Sequence, residues 1–316
     1  MVIIPDVVFG PDRIFLRTAK RLGHYVIAMS RSWDNLTSKG FVQILPDKLI
    51  VNTSRMLREA VRLVGMKKEN VFIGGSPQFD MYYKKRELAR EEFCKKMGID
   101  PNSKIILCAP FFDVYTGSAL YLINGLLESI EKGELPKNTH LLVRYRPATA
   151  TIDEKELKPN PRLTITNPCS HFFSVYNLQS PSKDFEWVKE DTQLLIDSLR
   201  FSDVVINTVS TLSIDAAIFD KPVINIRFDA DPNCPPNHRV KTLLALHDHY
   251  RAIEASGGVK LVESMGELVN SLNAYFENPK LDAPGREILR KEQVEITDGS
   301  AGKKIAEFIK GELAKL

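Results

Sequence analysis

The sequence predicts an α/β protein built from two parallel-sheet domains. Three observations lead there. Apolar runs of strand length alternate with helix-patterned segments along most of the chain, the arrangement that feeds parallel sheets. Runs such as Val204 to Ile206 and Val223 to Ile226 are rich in branched aliphatics, as strands buried on both faces are. The series is interrupted once by Gly74-Gly75-Ser76-Pro77, residue types that end regular structure.

In chain order, the expected strands are Val2 to Phe9, Tyr25 to Met29, Lys48 to Asn52, Val71 to Ile73, Ile105 to Ala109, Leu141 to Arg144, Leu163 to Thr166, Val204 to Ile206 and Val223 to Ile226. Helical spacing is read for Ile14 to Leu22, Arg55 to Val64, Lys84 to Met97, Ser118 to Glu131, Asp191 to Leu199, Ser213 to Phe219, Met265 to Phe276 and Gly285 to Val294. The domains are expected at 1–82 and 83–316, with Gly74, Gly75, Ser76 and Pro77 as a hinge. The last helix, 301–316, sets Ile305, Phe308, Ile309 and Leu313 on one face and Lys303, Lys304, Lys310 and Lys315 on the other. It is expected to pack back across the domain boundary. The same basic amphipathic pattern suits peripheral contact with an anionic membrane.

Composition narrows the function. The 316 residues are 43% hydrophobic and 26% charged, which favours packed domains over disorder. A net charge of +3 argues against a dedicated nucleic-acid binder. No apolar run approaches the ~18 residues that span a bilayer, and MVIIPD, broken by Pro5, is not expected to act as a signal peptide. Cys94, Cys108, Cys169 and Cys234 form no CxxC pair, which fits reduced cytoplasmic thiols. There is no GxSxG, Walker loop or GxGxxG, which weakens hydrolase, kinase and dinucleotide readings.

The most informative stretch is Asp203 to Ile226, DVVINTVSTLSIDAAIFDKPVINI. It reads as strand, small polar loop, short helix and strand. Thr208, Ser210 and Thr211 sit at the helix start, where backbone N–H groups and the macrodipole suit a phosphate. Asp215 lies one turn in, where a carboxylate can accept hydrogen bonds from ribose hydroxyls. A plain βαβ unit capped by Ser and Thr fits the same spacing.

Several segments together resemble one family. They are SWDNLTSKG (Ser32 to Gly40), GGSPQFD (Gly74 to Asp80), the stretch from Ser202 to Asp229, HYRAIEASGGVKLVES (His249 to Ser264) and DGSAGKKIAEFI (Asp298 to Ile309). In this order they resemble glycosyltransferases of surface-polysaccharide (capsule) assembly, relatives of CDP-glycerol glycerophosphotransferases and of UDP-N-acetylglucosamine 2-epimerase. The resemblance implies a GT-B fold: two Rossmann-like domains facing a cleft, with nucleotide held mainly by the second. It implies sugar transfer from a nucleotide-diphosphate donor, expected to be UDP-linked, to a glycan or lipid-linked acceptor. CDP-glycerol-type glycerophosphate transfer, a 2-epimerase-like reaction and a non-catalytic nucleotide-binding homologue are the alternatives. Family enzymes that use UDP-sugars hold the ribose with an acidic residue seven positions before a proline, the spacing of Asp215 to Pro222. Only about 30 residues precede SWDN, so an incomplete first domain is expected. Related glycerophosphotransferases carry His-Pro where this chain has Arg146-Pro147.

The remaining candidates follow the domain plan. Asp34 is the expected general base, because deprotonating an acceptor hydroxyl calls for a carboxylate or imidazole. Trp33, Asn35 and Lys39 in the same loop are expected on the acceptor side. An Asp-Asn turn anchored by Trp33 fits the same loop. Arg144 and Arg146 alternate at a strand end, so both can fork hydrogen bonds to phosphate. Phe111, Phe228, Asp229 and His249 are placed on the donor-sugar side of the cleft. His247 and His249 form HxH without a third ligand, so no metal is expected. No cofactor is expected beyond the donor substrate.

Overall fold

The computed structural model describes residues 1–85, 87–109, 117–145, 157, 159–166, 170–173, 184–208, 210–245 and 248–316. Contacts divide the chain into two units, Met1–Arg86 with Ile288–Leu316, and Glu87–Glu287. The return to the first unit therefore begins at Ile288, earlier than the last helix alone.

The first unit holds a four-stranded parallel sheet in the order β1 (Val2–Ile4), β2 (Val26–Met29), β3 (Lys48–Val51), β4 (Val71–Ile73). Strand side chains alternate between faces, and both faces are covered. Val26, Ala28, Leu49 and Val51 pack with Leu16 and Ala19 of the helix Gly10–Arg21 and with Met56 of Ser54–Glu59. Ile27 and Ile50 point the other way and meet Ile305, Phe308 and Ile309 of the C-terminal helix Ala301–Leu313. Phe308 stacks on Phe72 with ring centroids 4.1 Å apart. That explains why β2 and β3 are apolar at successive positions rather than alternately.

The C-terminal helix comes close enough to exclude side chains. A Cβ on Gly74 would lie 2.5 Å from Ile305 Cγ1, and one on Gly75, at φ +80°, would lie 2.8 Å from the Ala301 Cβ. The expected hinge glycines thus have a packing role inside this unit. Asp80 then caps the arriving helix, accepting from the Ala301 and Gly302 amides at 3.0 and 2.9 Å. Glu295 returns the favour at the helix Ser54–Glu59, accepting from the Ser54 amide and, at 2.7 Å, from its hydroxyl. Of the apolar face suited to a membrane, Ile305, Phe308 and Ile309 pack into this core, while Leu313 stays exposed. Among the described residues no helix is long and apolar enough to cross a bilayer.

Two expectations about extent are corrected here. The first strand ends at Ile4 rather than Phe9, because the Asp6 carboxylate accepts from the Val8 and Phe9 amides at 2.7 and 3.1 Å and turns the chain. Among the described residues the charged segment from Lys84 is helical over Arg90–Met97.

The second unit holds six parallel strands: β5 (Lys104–Ala109), β6 (Thr139–Arg144), β7 (Leu163–Thr166), β10 (Val204–Asn207), β11 (Val223–Ile226) and β12 (Lys260–Val262). An antiparallel pair, β8 (Ser170–Phe173) and β9 (Asp184–Trp187), stands apart from them. The spatial order is β12-β11-β10-β5-β6-β7, the doubly wound order of two βαβαβ halves. One face packs Ile106, Leu141, Val143, Ile206 and Ile224 against the helices Gly117–Glu131 and Met265–Glu277. The sequence reading missed β8, β9 and β12; β12 is a three-residue edge strand that opens on an exposed lysine.

Two tests follow from this packing. Asp80→Ala removes an acceptor for two helix-end amides and is expected to cost about 1–2 kcal/mol of stability in urea titrations. His140, 4% exposed, pairs through Nε2 with the Thr164 hydroxyl at 2.8 Å, and burial pushes its pKa from 6.5 down to about 4. The unfolded imidazole gains its proton near pH 6.5 and the folded one resists until about 4, so His140 lowers stability progressively as pH falls through that window. Denaturation midpoints of His140→Gln should be flatter than wild type across it.

Candidate functional site

In a doubly wound sheet, ligands bind outside the carboxyl ends of the strands where the order reverses. Here the reversal lies between β5 and β10. The chain leaves β5 through Gly117–Glu131 toward β6, and leaves β10 through the helix Leu212–Ile218 toward β11 on the other side. The polar loop singled out in the sequence therefore sits at the switch point.

Its geometry differs from the expectation in one respect. The helix is only Leu212–Ile218, and its first amides are already engaged. Leu212 N–H donates to Ser210 Oγ at 3.2 Å, Ser213 N–H to the Ser210 carbonyl at 3.2 Å, and Ile214 N–H to the Thr211 carbonyl at 2.8 Å. The turn is closed on itself, so it presents its shape and the half-buried Ser210 and Thr211 rather than a row of free amides. Thr208 and Asp215 are buried, and Ser210 and Thr211 are half-buried.

Beneath the loop lies a polar group that sequence reasoning missed. Asn207 and Asn225 end or nearly end β10 and β11 and are register partners. Asn225 Nδ2 donates to Asn207 Oδ1 at 2.9 Å, and Asn207 Nδ2 donates to Ser213 Oγ at 3.1 Å. Ser213 Oγ lies 2.7 Å from the Tyr250 hydroxyl, which donates to Asn225 Oδ1 at 3.1 Å. With the Ser213 hydroxyl donating to Tyr250, the four side chains close a ring. All four are essentially buried, with Tyr250 at 1% exposure. Burial pushes the Tyr250 pKa up to about 12, so it stays a neutral donor. The available signal was a lone asparagine at the end of two apolar strands, VVIN and VINI.

The other second-unit candidates take structural partners. Arg144, expected on phosphate, is buried and pairs with the buried Asp191 at 2.7 Å. A guanidinium at a covered strand end needs a carboxylate, and the helix Lys189–Phe201 supplies one. Phe228 packs against the main apolar core, and the Asp229 carboxylate accepts from the Val240 amide at 2.7 Å at the start of the helix Val240–Ala245. His249 is half-buried in the short turn Asp248–Tyr250 that carries the ring tyrosine. Phe111, Arg146 and His247 lie outside the described residues. Among the described residues no cluster of His, Cys, Asp and Glu could hold a metal.

In the first unit, Trp33, Asp34 and Asn35 are buried. Asp34 Oδ1 accepts from the Ser32 hydroxyl at 2.6 Å, and Oδ2 meets the Ser38 hydroxyl and the Lys39 ammonium, both at 3.2 Å. Asn35 Nδ2 donates to Asp6 at 2.9 Å. Both oxygens of the expected base are thus held within its own loop, which makes Asp34 a brace for that loop.

The family model described as CDP-Glycerol:Poly(glycerophosphate) glycerophosphotransferase matches residues 20–311. The chain belongs to this glycerophosphotransferase family. No curated protein matches the sequence significantly. Among solved structures, this family member is similar to a putative UDP-N-acetylglucosamine 2-epimerase from Listeria monocytogenes, at TM-score 0.60 and 12% identity over 100% of this chain and 74% of that one. The wall teichoic acid polymerase TagF aligns at TM-score 0.53 and 14% identity over 92% and 69%. The UDP-GlcNAc 2-epimerase from Neisseria meningitidis, solved bound to UDP-GlcNAc, aligns at 0.53 and 13% over 94% and 79%. The fold of this glycerophosphotransferase-family chain is GT-B, with two parallel-sheet α/β domains.

The Arg144–Asp191 pair yields a test of its structural role. Arg144→Leu leaves Asp191 buried and uncompensated, and is expected to cost about 3–5 kcal/mol in denaturant titrations. Replacing both residues with leucine should recover much of that loss.

Proposed function

We propose that this chain binds a nucleoside-diphosphate-linked donor over the carboxyl ends of β5 and β10 and transfers the donor's glycerophosphate to a glycan or lipid-linked acceptor. The observation that carries this reading is the family match, which spans residues 20–311 and includes the whole switch-point loop. TagF, of the same fold, has been soaked with CDPG. In the proposed complex, Thr208, Ser210 and Thr211 line the diphosphate, Asp215 holds the ribose, and Arg146 adds a cation. Asp34 is left out as base, since its carboxylate is engaged by Ser32, Ser38 and Lys39. In this chemistry the acceptor oxygen attacks phosphorus, the phosphoanhydride bond breaks, and CMP leaves. A lipid-linked acceptor would bring the chain to the inner surface of the membrane.

A second reading is sugar transfer from a UDP-linked donor. Arg146-Pro147, in place of the His-Pro of related glycerophosphotransferases, favours it. There the acceptor attacks the anomeric carbon, and the whole nucleoside diphosphate leaves.

The experiment is a thermal-shift panel of CDP, UDP, GDP and their sugar or glycerol conjugates, followed by identification of the released nucleotide. CMP release supports glycerophosphate transfer, and UDP release supports the second reading. Tight binding without release points to a non-catalytic nucleotide binder. Asp215→Ala should weaken the preferred nucleotide by about 1–3 kcal/mol in calorimetry; unchanged affinity in a folded variant removes Asp215 from the site.

A further inference from the structure

We infer that Tyr250 is a positioning residue for the donor diphosphate, acting through the ring it closes with Ser213, Asn207 and Asn225. The inference rests on the reading of the β5–β10 switch point as the donor site, and extends it to a residue that touches no ligand.

The argument starts from location. The ring occupies the carboxyl ends of two adjacent strands, directly under the loop that leaves β10. It binds that loop at two points. Ser213 belongs to the first turn of the helix after the loop. The Ser210 carbonyl lies 3.4 Å from the Tyr250 hydroxyl, the outer limit of a shared contact. Ser210 is also the residue whose hydroxyl and carbonyl accept the Leu212 and Ser213 amides. The shape of the turn is therefore referred back, through Tyr250, to the sheet.

The chemistry of the ring favours one geometry. Two amides and two hydroxyls supply one donor and one acceptor each around the circuit, so no ring position is left unmet. Buried circuits of this kind strengthen cooperatively, and losing one member leaves the others unsatisfied in low dielectric. A core seeking only stability could put apolar side chains at all four positions. A polar ring adds directional definition at the place where preorganised contacts to a charged group matter most.

Tyr250 also connects the loop to a distant part of the chain. It follows His249 in the turn Asp248–Tyr250 and precedes the helix Arg251–Ala255. The sequence segment from His249 onward thus acts on the site from behind, by holding the loop.

The test uses the full chain, with CDP and cytidine, and UDP and uridine, as probes. Tyr250→Phe and Ser213→Ala each open the ring at a different member. The control is Tyr275→Phe, which removes another buried hydroxyl of this unit, one that donates to Asp282 at 2.6 Å. Both ring variants are expected to lose about tenfold in diphosphate affinity while nucleoside affinity stays unchanged. The control should lose stability without that selective effect. In ligand-free protein, amide hydrogen exchange at Leu212 and Ser213 should speed up in the ring variants relative to β5 and β6. If Tyr250→Phe does not fold, Ser213→Ala carries the comparison. Equal losses for diphosphate and nucleoside, or unchanged diphosphate binding with unchanged exchange, overturn the inference. A wild-type chain that binds no nucleoside diphosphate overturns the donor-site reading, and the exchange measurement still decides whether Tyr250 holds the loop.

Discussion

A parallel sheet fed by helices on both faces has a place where neighbouring connections diverge. In the second unit that place is between β5 and β10, and much else follows from it. In doubly wound sheets generally, such a divergence leaves a crevice outside the strand ends. The strands on either side must end in residues able to live at the edge of an apolar core. Asn207 and Asn225 do so by bonding to each other and to Ser213 and Tyr250 rather than to water. The topology sets where the strands diverge, and a buried polar circuit fixes the strand ends there.

How much of this was legible in the sequence depends on how local the signal is. Val204 to Asn207, Leu212 to Ile218 and Val223 to Ile226 are set by short-range pattern: branched apolar runs, a polar loop, and a Lys-Pro stop. Two parallel-sheet domains were readable for the same reason, whereas the GT-B class was implied by the family resemblance of five segments in order. Strand ends were less so. β1 stops at Ile4 because one aspartate bonds two amides ahead of it, and an apolar count through Phe9 does not register that competition.

The partners of candidate side chains were hidden wherever they are remote in sequence. Arg144 looks like a phosphate ligand until Asp191, 47 positions away, is brought against it. Tyr250 is one aromatic among many until Ser213, 37 positions earlier, meets its hydroxyl. Gly74 and Gly75 read as a flexible joint because glycine is used both for freedom and for close approach. Only the returning C-terminal helix tells the two uses apart, and here it shows close approach. Asp34 is a related case: an acidic residue in a cleft-type loop suggests proton transfer, but Ser32, Ser38 and Lys39 were already present in the same motif to occupy it.

The split composition of the first unit also has a consequence in time. Its sheet is made early, but the helix that covers Ile27 and Ile50 comes from the far end of the chain. A ribosome adding 5–20 residues per second needs roughly 10–40 s to make the intervening residues 87–287. Over that interval the second unit, which is continuous in sequence, can fold on its own, while one apolar face of the first sheet waits uncovered. The order of folding during synthesis is then the reverse of the order in the sequence, and the waiting face is where a chaperone would find its substrate.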